Sequence, residues 1–239
     1  MTTINILHLY PKEMNLYGDH GNVVALQKRC EWRGISTKVI HHELGDKLPE
    51  KIDIIFGGGG QDSGQSKIER DLQIIAPKLK RMIDSGTPAL VVCGLYQLFG
   101  NYFETTNGQR IKGAGILDLY TTAGPDRLIG NITINTPDFG EVVGYENHSG
   151  LTYLNETATA FGTVVQGAGN NGVDLTEGIR YQNCIGTYLH GPILPKNPRI
   201  ADFLIAQALQ NTPGKSQKLK LLDDNIEQQA HQTAASRPR

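Results

Sequence analysis

The sequence contains few cysteines, little net charge and no long apolar run. Its three cysteines, Cys30, Cys93 and Cys184, are odd in number and widely spaced, so neither a disulfide framework nor a Cys-x-x-Cys metal site is expected among the 239 residues. The near balance of 23 basic and 24 acidic residues argues against nucleic acid or an anionic membrane as the main partner. No segment approaches the roughly 20 apolar residues of a membrane span, and the N-terminus has no signal-peptide features. We therefore expect a cytoplasmic protein without a membrane span.

Strand and helix signals alternate over the first hundred residues. Apolar residues at helical spacing lie between short apolar segments that are typical of buried strands, and Pro77 is expected to kink or restart one of the helices. The strand segments are residues 4–9, 37–40, 52–56 and 88–92. Such an alternation predicts an α/β fold with a central, mostly parallel sheet and helices on both faces. Ligands of such sheets bind at the carboxyl ends of the strands.

The later part of the chain has a different composition. From about residue 108 to 190, glycine, asparagine, threonine and proline separate short apolar segments, which indicates strands and turns with few helices. Asn197 and Pro198 then begin a helix, as its N-cap and its first helical residue. We assign residues 1–210 to one domain and expect the polar segment 211–239 to be mobile or dependent on a partner.

The most informative residue is Cys93, which follows the predicted strand 88–92 and precedes a predicted helix. A turn of this kind exposes the side chain, and the positive end of the helix favours a thiolate over a thiol. Gly94 allows a substrate to approach the backbone closely, and its N–H can face a developing oxyanion. The alternative is a buried cysteine that fills space, which is our interpretation of Cys30 and Cys184.

Four consecutive glycines, residues 57–60, follow another predicted strand. A P-loop does not fit, because no Gly-Lys-Ser/Thr follows, and a dinucleotide fingerprint would need glycine where Asp62 or Ser63 stands. A loop beside the cysteine that offers backbone amides to an oxyanion fits better and makes Gly59 and Gly60 the candidate donors. A simple tight turn is the alternative.

His190 ends a predicted strand, after which Gly191 and Pro192 turn the chain away. A histidine can take a thiol proton near neutral pH and pass it to a leaving amine. A single histidine is more often a satisfied core or surface group, so its position alone leaves both interpretations open. His20 and His148 lie in predicted loops that could also approach a site.

Together these segments resemble the class I glutamine amidotransferases of the CobB/CobQ-like branch, and in particular the glutaminase subunits of lipid II isoglutaminyl synthase. The segments that carry the resemblance are Cys93-Gly94-Leu95-Tyr96-Gln97, Gly144-Tyr145-Glu146-Asn147-His148-Ser149-Gly150 and the stretch from Gly186 to Pro198. The resemblance covers roughly residues 4–210 and implies the flavodoxin-like fold of these enzymes.

The resemblance also implies a reaction. L-Glutamine would be hydrolysed through a Cys93 thioester, with His190 as the proton carrier. Arg127 and Gln97 look like ligands of glutamine, since an arginine fork suits a carboxylate, although Arg127 could equally be a solvated loop cation. The expected partner is a Mur-ligase-like synthetase of the MurT type. That partner would use ATP and Mg to amidate the D-glutamate of the lipid II stem peptide to D-isoglutamine, so no cofactor is expected in this chain.

One position departs from the commoner pattern of the class. A glutamate that orients the imidazole usually follows the histidine by two residues, and here that position is Pro192. We therefore expect a dyad in this chain and hypothesise that a carboxylate of the partner completes the triad. The in-chain alternatives are Asp62, Asp126 and Glu146.

Two other functions remain open at this stage. One is an amidotransferase for a cobyrinate-like acid, which the identity of the partner would distinguish. The other is a non-enzymatic, flavodoxin-like module that binds a phosphorylated ligand through the glycine loop. Titration with flavin or nucleotide, beside a glutaminase assay, separates that module from an enzyme.

Overall fold

Residues 3–211 and 219–238 are described by the computed structural model. The strands are β1 (Thr3–Leu9), β2 (Ser36–His42), β3 (Ile54–Gly57), β4 (Ala89–Val92), β5 (Tyr102–Glu104), β6 (Arg110–Lys112), β7 (Leu119–Thr136), β8 (Gly140–Leu154), β9 (Gly162–Gln166), β10 (Thr176–Glu177), β11 (Ile179–Tyr181) and β12 (Cys184–Thr187). The helices are α1 (His20–Glu31), α2 (Asp62–Asp84), α3 (Gly94–Phe99), α4 (Ile193–Lys196), α5 (Pro198–Gln210) and α6 (Asn225–Ala235).

The first sheet has the strand order β11-β12-β4-β3-β1-β2 and is parallel except for β11 at one edge. Strands β3, β4 and β12 are buried along their whole length, as expected for strands covered on both faces. Helices α1, α3 and α5 contact its strands. This sheet confirms the predicted α/β class. Because β3, β4 and β12 are parallel neighbours, the glycines 57–60, Cys93 and His190 that follow them meet at one edge.

Helix α2 runs unbroken from Asp62 to Asp84 with Pro77 inside it, so Pro77 does not restart the helix; a kink at Pro77 stays a prediction. Pro77 lies on the exposed side, where water can satisfy the carbonyl that loses its intrahelical partner. The opposite side carries apolar residues at helical spacing and is buried. Within the described residues, neither α2 nor any other helix is both long and apolar enough to cross a membrane.

Residues 102–177 form a second six-stranded sheet of order β10-β9-β7-β5-β6, with β8 also paired to β7. All of its pairings are antiparallel except that of β5 with β7. The register of the long β7–β8 hairpin shifts between Ala123 and Leu128, and Arg127 lies in this irregular stretch. Strands and turns were predicted here, but a separate sheet was not. Antiparallel strands need no crossover helix, so the local pattern does not reveal which sheet a strand joins.

Helix α5 begins with Pro198 at its first position, as predicted. The Asn197 side chain makes no capping hydrogen bond to the helix. Its amide instead accepts from the Val143 amide at 3.0 Å and donates to the carbonyls of Val143 at 2.8 Å and Ile193 at 2.7 Å. Asn197 thus ties β8 to α4, the helix that follows His190.

The C-terminal part of the chain contributes helix α6. An ion-pair network anchors the residue before it, because the buried Arg29 contacts Asp202 and Asp224 at 2.7 Å each. Residues 212–218, part of the segment expected to be mobile or dependent on a partner, lie outside the described residues. The motion or partner dependence of residues 211–239 stays a prediction.

Candidate active site

Cys93 lies at the turn from β4 to α3, where its backbone adopts φ 50° and ψ −105°. A positive φ is strained for a residue other than glycine, and strained strand-to-helix turns present nucleophiles in parallel α/β enzymes. The Cys93 amide donates to the Thr187 carbonyl, and its carbonyl accepts from the Gln97 amide, both at 2.9 Å. The side chain is 7% exposed and borders a cavity. The structure thus places Cys93 where a nucleophile can meet a ligand.

His190 follows β12, the neighbour of β4, and is completely buried. An antiparallel bridge fixes its backbone, with the His190 amide donating to the Tyr145 carbonyl at 2.8 Å. The Tyr17 ring packs edge-on against the imidazole at 4.9 Å between centroids. Burial alone would lower the pKa of His190, but Cys93 and the Asp19 carboxylate reverse this effect and raise it to about 10. The raised pKa favours the protonated imidazole, which can act as an acid beside the cysteine.

A carboxylate of this chain contacts His190, contrary to the expected dyad. Asp19 Oδ1 lies 3.1 Å from His190 Nδ1, and neither side chain is exposed. Asp19 precedes α1 and is 171 residues away from the histidine, so no sequence spacing pointed to it. An acidic residue in the loop after a parallel strand was the signal that could have found it. The expectation that this chain supplies no acid to His190 is therefore wrong, whereas a contribution from the partner stays a hypothesis.

The three acids named from the sequence lie elsewhere. Asp62 is exposed at the first position of α2 and borders the cavity, whereas Asp126 is exposed in the irregular stretch of β7. Glu146 is buried in β8 and accepts hydrogen bonds of 2.8 Å from the amides of Ala168 and Gly169. Glu146 thus anchors the loop that follows β9.

The glycines 57–60 lie against the nucleophile turn, as predicted. Gly59 donates its amide to Asp19 Oδ2 at 2.7 Å. This amide is therefore not free to face an oxyanion, which corrects the prediction for Gly59. The backbone of Gly60 approaches Gly94 so closely that a Cβ on Gly94 would lie 2.8 Å from the Gly60 nitrogen. The amides of Gly60 and Gly94 remain the predicted oxyanion donors.

A cavity of about 510 Å³ opens beside Cys93, with residues from both sheets around it. Gln97 and Arg127 border this cavity, so the structure brings the two predicted glutamine ligands to the nucleophile's side. Arg127 is exposed, and its guanidinium contacts Asn147 through Nε at 3.0 Å and Nη2 at 3.4 Å. The remaining donors of the fork are available to a carboxylate. The role of Arg127 stays a prediction.

The Gln97 amide is largely engaged within the protein. Its Oε1 accepts from Gln65 Nε2 at 2.6 Å, and its Nε2 donates to the Tyr188 hydroxyl at 3.0 Å. The same hydroxyl lies 2.6 Å from Thr152 Oγ1, so a buried polar network holds the amide in one orientation. Gln97 keeps one N–H and one lone pair, and its contact with glutamine stays a prediction.

His148 borders the cavity from β8, whereas His20 does not. The His148 ring stacks on Tyr188 at 3.5 Å between centroids, and Nδ1 lies 2.7 Å from the Gly150 carbonyl. Burial lowers the pKa of His148 to about 3, so this imidazole is neutral at physiological pH. His20 stacks on His8. In the described part of the chain, no group of three or more His, Cys, Asp or Glu side chains could hold a metal ion.

The other two cysteines are packing residues, in agreement with the sequence interpretation. Cys30 and Cys184 are completely buried, and burial raises the pKa of each thiol to about 12. A thiol that stays protonated is a poor nucleophile. Neither of them borders the cavity beside Cys93.

Comparison with known proteins agrees with this geometry. The CobB/CobQ-like glutamine amidotransferase domain matches residues 5–198. The chain is 41% identical over 238 residues to the lipid II isoglutaminyl synthase (glutamine-hydrolyzing) subunit GatD of Staphylococcus aureus, covering 99% of this chain and 97% of that protein. The subunit of the same name from Streptococcus pneumoniae is 39% identical, with 95% and 88% covered. A probable cobyric acid synthase of Methanopyrus kandleri is 30% identical, covering 61% of this chain and 32% of that protein.

Solved structures show the same fold. PurLQS from Thermotoga maritima has a TM-score of 0.59 at 14% identity, over 86% of this chain and 98% of that chain. A crystal structure of a glutamine amidotransferase has the same TM-score and identity, over 84% and 98%. The matching domain and the similarity to two relatives over nearly the whole chain show that this chain belongs to the CobB/CobQ-like glutamine amidotransferase family.

Proposed function

We propose that this chain is the glutaminase subunit of a lipid II isoglutaminyl synthase. It hydrolyses L-glutamine and delivers ammonia to a Mur-ligase-like partner, which amidates the D-glutamate of the lipid II stem peptide to D-isoglutamine. The observation that carries the proposal is the pairing of Cys93, in a strained turn at a cavity, with the buried His190, which contacts the Asp19 carboxylate. Near full-length identity of 41% and 39% to two GatD subunits supports this choice of substrate and partner.

The first half of the reaction forms a thioester. The Cys93 sulfur attacks the carboxamide carbon of glutamine, and the carbonyl oxygen becomes an oxyanion that the amides of Gly60 and Gly94 stabilise. As the carbon–nitrogen bond breaks, the His190 imidazolium gives its proton to the departing nitrogen. Ammonia leaves, and the imidazole is then neutral.

The second half returns the enzyme to its starting state. Neutral His190 takes a proton from a water molecule, whose oxygen attacks the thioester carbon. The carbon–sulfur bond breaks, which releases glutamate and restores the Cys93 thiolate beside a protonated imidazole. The proton of the new carboxylic acid passes to solvent. No metal or organic cofactor takes part in these steps.

Substrate binding is assigned to the cavity beside the nucleophile. The exposed Arg127 guanidinium holds the α-carboxylate of glutamine, since a planar fork can bind both oxygens. Gln97 contributes its remaining donor and acceptor, held in place by the buried amide of Gln65. Because free ammonia would be wasted, we infer that hydrolysis is coupled to the synthetase partner. ATP and Mg belong to that partner, and the combined reaction takes place in the cytoplasm.

The test combines the chain with a Mur-ligase-like synthetase, with glutamate release and lipid II amidation measured by mass spectrometry. Cys93→Ala should abolish glutamine hydrolysis and glutamine-dependent amidation, whereas ammonium salts should restore amidation because the synthetase is intact. Cys184→Ala is the matched control and should keep both activities. A Cys93 variant that still hydrolyses glutamine contradicts the mechanism. A wild-type complex that hydrolyses glutamine without amidating lipid II contradicts the assigned acceptor.

The two alternatives have less support. A cobyrinate-like acid as acceptor rests on relatives such as the Methanopyrus kandleri protein, of which this chain covers 32%. A non-enzymatic module that binds a phosphorylated ligand would need free amides in the glycine loop. The Gly59 amide is taken by a carboxylate, which also repels a phosphate. Binding of flavin or nucleotide without glutaminase activity would revive the second alternative.

A further inference from the structure

The Asp19 carboxylate connects the two halves of the candidate site. Its Oδ1 lies 3.1 Å from His190 Nδ1, and its Oδ2 accepts from the Gly59 amide at 2.7 Å. All three groups are buried, so water cannot replace either hydrogen bond if it is lost. Because Nδ1 faces this carboxylate, Nε2 is the ring nitrogen left for the Cys93 sulfur.

The turn before α1 also holds the peptide bond that follows Gly59. The Leu16 amide donates to the Gly59 carbonyl at 3.0 Å. In a trans peptide the next N–H points opposite to that carbonyl, so the Gly60 N–H points away from this turn. Gly60 borders the cavity, and its nitrogen lies close to Gly94. Asp19 and Leu16 together therefore orient the glycine loop toward a ligand.

Packing of α1 explains why Asp19 reaches the imidazole. The Asn22 amide donates to the Asp19 carbonyl at 2.9 Å, and Asn22 Oδ1 accepts from the Leu194 amide at 2.9 Å. The Pro192 ring occupies the space where a side chain on Gly21 would lie. The proline that replaces the usual glutamate thus packs against the first turn of α1, and that turn brings Asp19 to the catalytic side.

We propose that Asp19 is a positioning residue that holds the His190 imidazole and the glycine loop together in register with Cys93. The inference rests on the proposed function, in which Cys93 and His190 hydrolyse glutamine. An asparagine at this position has the same shape but a single acceptor oxygen, and its NH2 group would face one of the two N–H donors. Asp19→Asn therefore either breaks one of the two contacts or keeps both only with the neutral imidazole tautomer that accepts at Nδ1, and it opens no cavity.

The first experiment measures glutamine hydrolysis by Asp19→Asn and Asp19→Ala in complex with the synthetase partner. We expect kcat to fall about 10²- to 10⁴-fold while KM changes less than about threefold, since the carboxylate orients the proton carrier and does not bind substrate. Asp71→Asn is the matched control, because Asp71 is hydrogen-bonded at 2.9 Å to the buried His42, which does not border the cavity. Its kcat should stay within about twofold of the wild type.

Alkylation of Cys93 by iodoacetamide gives a second readout that needs neither glutamine nor the partner. We expect the Asp19→Asn rate near neutral pH to fall at least about tenfold, and its pH profile to move upward, because a less stable imidazolium no longer holds the thiolate. If Asp19→Asn leaves both the pH profile of Cys93 alkylation and kcat for glutamine unchanged, the proposal is overturned, even if the wild-type complex amidates lipid II. A shifted profile supports it, even if the lipid II assignment fails.

Wild-type protein provides a measurement that does not depend on a variant folding. In a sample with ¹⁵N-labelled histidine, the Nδ1 proton of His190 should appear strongly downfield and protected from exchange, as for an imidazole that donates to a buried carboxylate. Replacement of His190 by glutamine should remove this resonance and so assign it. A His190 Nδ1 that carries no such proton overturns the proposal.

Discussion

Glu177→Gln should change how the stability of this protein depends on pH. Glu177 in β10 is completely buried, and it accepts hydrogen bonds from the Tyr188 amide at 2.7 Å and from the Thr187 hydroxyl at 3.1 Å. Burial raises the pKa of the Glu177 carboxyl from 4.5 to about 8, with Glu146 acting in the same direction and the hydrogen bonds opposing it. Folding therefore favours the protonated acid, and the residues it contacts, Thr187 and Tyr188, lie shortly before His190 in the chain.

The size of the effect follows from linkage. A group whose pKa is raised on folding contributes stability that is complete below its unfolded pKa and is lost as the pH rises through its folded pKa. For Glu177 this window extends from 4.5 to about 8. At about 1.4 kcal/mol for each pKa unit, the wild type should lose about 3 kcal/mol between about pH 5.5 and about pH 8.5 through this group. Glutamine does not titrate, so the variant avoids this loss.

The assay is urea denaturation of both proteins at the two pH values. The free energy of unfolding of Glu177→Gln, minus that of the wild type, should rise by about 3 kcal/mol from the lower to the higher pH. Glu156→Gln, at an exposed position, is the control and should show no such rise. A difference for Glu177→Gln that is constant within about 0.5 kcal/mol would mean that the hydrogen bonds keep Glu177 ionised, and it would refute the reasoning.

Three further predictions concern the cavity and the C-terminal anchor. Arg127→Ala should raise KM for glutamine about 10- to 150-fold, because a charge-assisted contact of about 1.5–3 kcal/mol is lost. Arg127→Lys should restore binding poorly, since a point charge cannot replace the planar fork. An unchanged KM of the alanine variant in steady-state kinetics would show that Arg127 does not bind glutamine. Gly150→Ala places a Cβ against Gln97 Nε2 and should cost about 1–3 kcal/mol of stability in urea denaturation, so wild-type stability would contradict this packing. Arg29→Met removes the buried cation that the partly buried Asp202 and Asp224 share, and should cost about 2 kcal/mol in urea denaturation. Lys28→Met on the exposed side should cost less than about 0.5 kcal/mol, and equal effects would argue against the network.

Local patterns were sufficient to predict the parallel sheet and to single out Cys93 and His190 as candidate site residues. Short apolar runs separated by helical periods lead to buried strands with crossover helices, and this alternation predicted a mostly parallel sheet. Cys93 and His190 each follow such a strand directly. Because parallel strands present their carboxyl ends at the same edge, the sequence already indicated that the two would meet there.

The acid and the oxyanion loop could not be assigned in the same way. Asp19, Asp62 and Asp126 are all acids in predicted loops, and nothing local distinguishes the one that reaches the imidazole. The choice depends on how α1 packs against Pro192, a contact between distant segments of the chain. The direction of the Gly59 amide likewise depends on a carboxylate 40 residues away.

The sequence by itself determined the fold class and placed Cys93 and His190 at the ends of predicted strands, because hydrophobic period, glycine placement and strand ends are properties of neighbouring residues. The tertiary structure decided which acid contacts His190, that the Gly59 amide is already engaged, and that Arg127 borders the cavity beside Cys93. Each of these depends on hydrogen bonds and packing between segments far apart in the chain. Such contacts arise from the mutual packing of the sheets and helices, which no local pattern encodes.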